Sequence, residues 1–207
     1  MNSPIRVLTV DDHPLMRDGI AFIVQKVSDM ELVAEATNGA EAITAYRKHR
    51  PDVTLMDLQM PVMNGIEAIQ AIRGEFPKAR IVVLTTYSGD VHATRALQAG
   101  AMGFILKSML GTELIDTIRA AHQGRRRISD EIAHGMAEHM GSESLSTREL
   151  QVLQAVASGC SNKIVADRLS ISEDTVKGHM KNVLAKLQAN DRTHAVLIAL
   201  KRGILEA

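Results

Sequence analysis

Apolar and polar positions alternate between two rhythms over roughly the first 125 residues. Short strand-like apolar runs occur at Ile5 to Val10, Val53 to Met56, Ile81 to Leu84 and Phe104 to Leu106, and the stretches between them carry apolar residues at helical spacing. This alternation predicts an α/β fold with a parallel sheet. Each run ends on chemistry-bearing residues: Asp11 and Asp12 after the first, Asp57 after the second, Thr85 after the third and Lys107 after the fourth. In open parallel sheets the carboxyl ends of the strands converge on one crevice, so these five side chains are expected to share a pocket.

From Leu145 the rhythm changes to short helices only. Ser146, with Glu149 three residues later, forms a capping-box pattern before Leu150, Leu153 and Val156, and Gly159 ends that helix. Asn162 to Leu169 is a second helix, Ser170-Ile171-Ser172 a tight turn, Glu173 to Leu187 a longer helix capped by Ser172, and Thr193 to Arg202 a fourth. A short helix, a tight turn and a longer lysine-bearing helix form the geometry of a helix-turn-helix. The join follows a helix at Gly111 to Gln123: Gly124 with Arg125, Arg126 and Arg127, a helical stretch near Asp130 to Met140, then Gly141-Ser142-Glu143-Ser144. Glycine and serine mark the boundary. The expected domains are 1–123, a linker at 124–144, and 145–207. The three arginines read as a solvated turn at a helix end rather than a phosphate contact.

Charge sharpens the division. The chain is neutral overall, yet residues 145–207 carry nine Lys and Arg against six Asp and Glu, a net +3 that leaves −3 on residues 1–144. An excess this small is weak support for nucleic acid without a motif. No apolar stretch approaches the roughly 20 residues of a membrane span and no signal-peptide pattern opens the chain, so no membrane association and a cytoplasmic location are expected. One cysteine, Cys160, fits a reducing compartment and reads as a small buried residue. His134 and His139, five apart, do not share a helix face as a metal pair requires.

Three carboxylates gathered with a hydroxyl and an ammonium repel one another unless a cation joins them, and an all-oxygen set suits Mg2+. Metal, lysine and hydroxyl together describe a site that holds a phosphoryl group. The stretches VDDHP at Val10 to Pro14, MDLQMPVMNG at Met56 to Gly65, LTT at Leu84 to Thr86 and FILK at Phe104 to Lys107 resemble the receiver domain of two-component response regulators, which has a flavodoxin-like fold. The resemblance implies that Asp57 accepts phosphate from a sensor histidine kinase, that Asp12 binds Mg2+ with help from Asp11, and that the backbone carbonyl of Gln59 is a further metal ligand. It also implies that Lys107 contacts the phosphoryl group and that Thr85 follows it while Phe104 moves as a switch. Pro61 and Gly65 would shape the loop after Asp57.

The second half resembles the DNA-binding domain of LuxR-type regulators, of the NarL/FixJ branch when joined to a receiver. The matching text is LSTRELQVLQAVASG at Leu145 to Gly159, SNK at Ser161 to Lys163, LSISEDTVKGHMKNVLAKL at Leu169 to Leu187 and DRTHAV at Asp191 to Val196. By position Thr175, Lys177, Gly178 and Lys181 lie where that family contacts DNA, and Val176, Val183 and Leu187 on the buried face. The last helix offers Val196, Leu197 and Leu200 either as a dimer surface or as ordinary core. The implied function is a transcriptional regulator of a phosphorelay, dimerising on double-stranded DNA when phosphorylated. The resemblance implies no enzyme activity apart from Mg2+-dependent self-phosphotransfer and autodephosphorylation at Asp57. The chain departs from the family pattern at Ile164, where glutamate is usual, at Phe104, where tyrosine is common, and at Ser108, where many receivers place proline. A receiver that ignores phosphate remains an alternative. An aspartyl phosphohydrolase is disfavoured because Gln59 stands where a common class of such enzymes has a second aspartate.

Overall fold

In this computed structural model, residues 3–86, 90–138 and 143–205 are described. They form two compact units, one built on a sheet and one on helices from residue 147 onward.

The first unit runs β1 (Ile5–Val10), α1 (Pro14–Gln25), β2 (Met30–Ala36), α2 (Gly39–His49), β3 (Val53–Asp57), α3 (Gly65–Glu75), β4 (Ile81–Thr85), α4 (Asp90–Ala99) and β5 (Gly103–Leu106). A turn of 3-10 helix at Lys107–Met109 leads into α5 (Leu110–His122), and β6 (Arg127–Ile128) closes the sheet. The sheet is parallel throughout, in the order β2-β1-β3-β4-β5-β6. Its reversal of direction at β1 and β3 is the switch point of a doubly wound, flavodoxin-like sheet. Strands β3, β4 and β5 are buried at every position, which is why they read as unbroken apolar runs. One core, holding Val7, Leu55, Val82, Leu84 and Ile105 from the sheet, is closed by Ile20 and Val24 of α1 and by Leu114 and Ile118 of α5. Two strands go beyond the sequence reading, β2 and β6, and the latter takes in Arg127, one of the three arginines assigned to a turn.

After α6 (Asp130–Glu138) the second unit comprises α7 (Thr147–Ala157), α8 (Asn162–Leu169), α9 (Glu173–Leu187) and α10 (Arg192–Arg202). Met140, Gly141 and Ser142 of the expected linker, and His139, lie outside the described residues. The capping box at Ser146 forms as expected, with Glu149 Oε2 accepting the Ser146 N–H at 2.7 Å. Gly159, at φ 81°, ends α7 with its own N–H bonded to Val156 and that of Cys160 bonded to Ala155. This is a left-handed cap that glycine adopts at little steric cost. Cys160 is buried in the core with Val152, Leu153, Val165, Val176, Met180 and Val183.

Candidate functional site

Strand register assembles the pocket. Val10 is level with Met56, Asp57 with Leu84 and Thr85 with Leu106, so Asp11, Asp57, Thr85 and Lys107 come together at the carboxyl ends of neighbouring strands. Asp11, Asp57 and Thr85 are buried there, and Lys107 extends into the same place. Its ammonium lies 2.7 Å from Asp11 Oδ2 and donates to Asp57 Oδ2 at 2.8 Å. The other oxygens are engaged differently: Asp57 Oδ1 accepts the Gln59 N–H at 3.2 Å, and Asp11 Oδ1 accepts the His13 N–H at 2.9 Å. The ligand atoms of Asp11, Asp12, His13 and Asp57 all fall within 4.8 Å of one another. Asp12 Oδ1 is buried without a hydrogen bond among those described, and the His13 Nδ1 atom lies 2.8 Å from it. Such clustered acid oxygens fit a small divalent cation.

Burial pushes the Asp57 carboxyl above the usual carboxylate range. The Lys107 hydrogen bond and charge pull it back, while the neighbouring charge of Asp11 pushes it up again. Burial works on Lys107 in the opposite sense, yet its hydrogen bonds to Asp11 and Asp57 win and raise it. One ammonium between two carboxylates leaves a net negative pocket, which a cation would neutralise.

One support of this pocket was not anticipated from the sequence, and a second, Gly65, was expected as a shaper of the loop after Asp57. Arg17 of α1 donates from its guanidinium to the Asp11 carbonyl at 2.8 Å and pairs with Glu35 at 3.2 Å, fixing the end of β1. Gly65 sits so close to the end of β3 that a Cβ there would collide with the Asp57 carbonyl oxygen. Phe104 is buried within β5, level with Val83 and Ile128, and no peptide bond among the described residues is cis.

On α9 the residues sort by helical period. Val176, Met180, Val183 and Leu187 are buried, while Thr175, Lys177, Gly178 and Lys181 are exposed. The Thr175 hydroxyl bonds to Ser172 Oγ at 2.8 Å, and Lys177 pairs with Asp174 at 2.8 Å. Lys177, Lys181 and Arg192 line a groove of about 260 Å³ with Asn162, Met180 and Leu184. On α10, Val196 and Leu200 are half-buried against the core of their own unit, and Leu197 is exposed.

Residues 7–119 match the response regulator receiver domain, and residues 143–199 match the luxR family of bacterial regulatory proteins. The transcriptional regulatory protein LiaR of Bacillus subtilis is 37% identical, with 97% of this chain and 99% of LiaR covered. YxjL of the same organism, described as an uncharacterized transcriptional regulatory protein, is 39% identical with 98% of each chain covered. Among solved structures, the response regulator ChrA of a heme-sensing two-component system is 33% identical, with a TM-score of 0.60 over 99% of this chain and 100% of that one. No helix among the described residues is long and apolar enough to cross a membrane. A receiver pocket at the carboxyl ends of a doubly wound sheet, followed by a LuxR-type helix-turn-helix, places this chain in the family of two-component transcriptional response regulators.

Proposed function

We propose that Asp57 is the phosphoacceptor and that phosphorylation by a sensor histidine kinase controls dimerisation and DNA binding. The observation that carries this reading is the Lys107 ammonium held between Asp11 and Asp57 at 2.7 and 2.8 Å. A carboxylate attacking phosphorus requires charge neutralisation and in-line positioning and little acid or base chemistry. Lys107 supplies one fixed positive charge beside the nucleophile, and the Gln59 N–H orients the Asp57 carboxylate. Asp11, Asp12, Asp57 and the Gln59 carbonyl would hold Mg2+, whose contribution is to offset charge on the phosphoryl oxygens. The hydroxyl of Thr85 then binds the new phosphoryl group, and Phe104 repacks behind it as the two-state element.

The output is the exposed face of α9, where Lys177 and Lys181 neutralise phosphate or donate to guanine in the major groove, beside Thr175 and Gly178. A homodimer would present two such helices to paired half-sites, with Leu197 of α10 as a surface element and Val196 and Leu200 supporting it from the core.

Intact mass after incubation with Mg2+ and a small acyl phosphate donor tests the acceptor. One phosphoryl group on wild type and none on Asp57→Ala is the expected result. Addition to both proteins, or to neither, would reject Asp57 as the acceptor.

A further inference from the structure

We propose that Asn182 is a base-reading residue of α9, its carboxamide selecting adenine in the major groove across the space that Gly178 leaves open. This rests on the reading that the exposed face of α9 enters that groove. Successive residues of a helix are about 100° apart around its axis. The buried residues Val176, Met180, Val183 and Leu187 therefore share one line along α9, and Gly178 and Ala185 fall on the line opposite. Lys177 and Lys181 flank this outermost line on one side, and Thr175 and Asn182 flank it on the other, all four exposed. The two flanks differ in chemistry. An ammonium only donates, to phosphate or to guanine, whereas a carboxamide carries a donor and an acceptor side by side. That pair matches the N7 acceptor and N6 amino donor of adenine, while guanine presents two acceptors at the same edge.

Asn182 is uncommitted within its own unit. Its carboxamide makes no hydrogen bond among the described residues, whereas Thr175 is bonded to Ser172 Oγ and Lys177 to Asp174, each at 2.8 Å. Gly178 supplies the room. Glycine is a poor helix former in mid-helix, and nothing packed against this one requires it, because a Cβ built there would meet nothing within 4 Å. Gly65 is the opposite case, its Cβ striking the Asp57 carbonyl oxygen. A glycine with no internal reason for being bare permits close approach of something outside the chain. Helical side chains lean toward the helix N-terminus, so the Asn182 amide, four residues on, can reach the space above Gly178.

The test is selection from duplex DNA with a randomised segment by the full-length protein, with and without a small acyl phosphate donor. Binding isotherms then follow on the enriched sequence and its single-base-pair substitutions, for wild type, Asn182→Ala, Gly178→Ala and Lys181→Ala. Wild type should enrich an A·T pair at one position of each half-site that Asn182→Ala no longer selects. Replacing that pair should weaken wild type by about 5–150-fold and Asn182→Ala hardly at all, as expected of one bidentate contact. Gly178→Ala should lose selection at the same position while its thermal stability is kept or raised. An unchanged base profile in Asn182→Ala would overturn the assignment. So would an equal loss on every sequence, which would make Asn182 a phosphate contact, or relaxation at a position where wild type selects a base other than adenine. Retained selection by Gly178→Ala would overturn the role of the open space. Full affinity in Lys181→Ala and Asn182→Ala alike would overturn the reading of α9 as the groove-entering helix, a different outcome from loss at one base. Both test positions are exposed, so the variants are expected to fold, and unchanged far-ultraviolet circular dichroism checks this.

Discussion

Three carboxylates and one ammonium at one strand edge create a conflict that a single side chain exposes. Asp57 is raised mainly by burial, so the folded protein holds its proton to a higher pH than the unfolded chain does. Stability attributable to this group is therefore greatest below the unfolded value of about 3.9, falls as pH rises through the folded value, and stays lower above it. Asp57→Asn removes that ionisation while keeping the size of the side chain. In EDTA, the stability of Asp57→Asn relative to wild type should grow as pH rises from about 3.5 toward neutrality. Urea denaturation at a series of pH values measures the gap, and a gap that narrows with rising pH would contradict the assignment of burial as the dominant cause. The pocket acids, Thr85 and Lys107 were legible in the sequence because each ends a buried strand. Arg17 was not, because its role depends on reaching the Asp11 carbonyl and Glu35, partners 6 and 18 residues away.

At the scale of elements, legibility follows burial. Strands β3, β4 and β5 are buried along their length and stand out as apolar runs. By contrast β2 lies at the sheet edge, with only Met30 and Ala36 fully buried, and MELVAEA shows neither a run nor a clean alternation. The two-residue β6 exists through its pairing with Gly103 and Phe104, a tertiary cause that no local pattern carries. The loop after Asp57 shows a different kind of hidden feature. Met63 donates to the Pro61 carbonyl at 2.8 Å across Val62, whose φ is 70° and which is 88% exposed. A three-residue turn of this hand is rare and strained, more so for a β-branched residue. The strain is held in place by the bond from the Gly39 N–H to the Met63 carbonyl. Because Val62 buries almost nothing, Val62→Gly should stabilise the protein by about 1 kcal/mol, the low end of the cost of such a conformation. Chemical denaturation checks this, and a loss of stability would show that the loop carries no such strain.

The exposed stripe of α9 invites a comparison of its two lysines. Lys177 is tied to Asp174, whose hydrogen bond and charge raise the Lys177 pKa, whereas Lys181 lines the groove beside Arg192. If Lys177 reads a base, Lys177→Ala should lose about 1–3 kcal/mol of binding and relax preference at one position. A phosphate contact at Lys181 instead predicts a uniform loss over all DNA sequences and a salt slope reduced by about 1. Binding isotherms on a set of singly substituted operators at two salt concentrations separate these outcomes. A loss for Lys177→Ala that is the same on every operator would remove it from base recognition.

For the molecule as a whole, a small effector unit with a net charge near +3 is a weak DNA ligand when alone, and pairing changes the arithmetic. Two linked recognition helices make the second binding event intramolecular, which raises apparent affinity by about 10²–10⁴-fold where geometry permits both to engage. If phosphorylation shifts the chain from monomer to dimer, it should act mainly on DNA carrying two half-sites spaced by one helical turn and little on a single half-site. Light scattering and DNA titrations on the same phosphorylated sample test both parts together. The expected result is a doubled mass and a preference for the paired site, both absent in Asp57→Ala. A doubled mass without a paired-site preference would mean that the dimer does not present its α9 helices to one duplex. A paired-site preference that persists in Asp57→Ala would place control of pairing outside the Asp57 pocket.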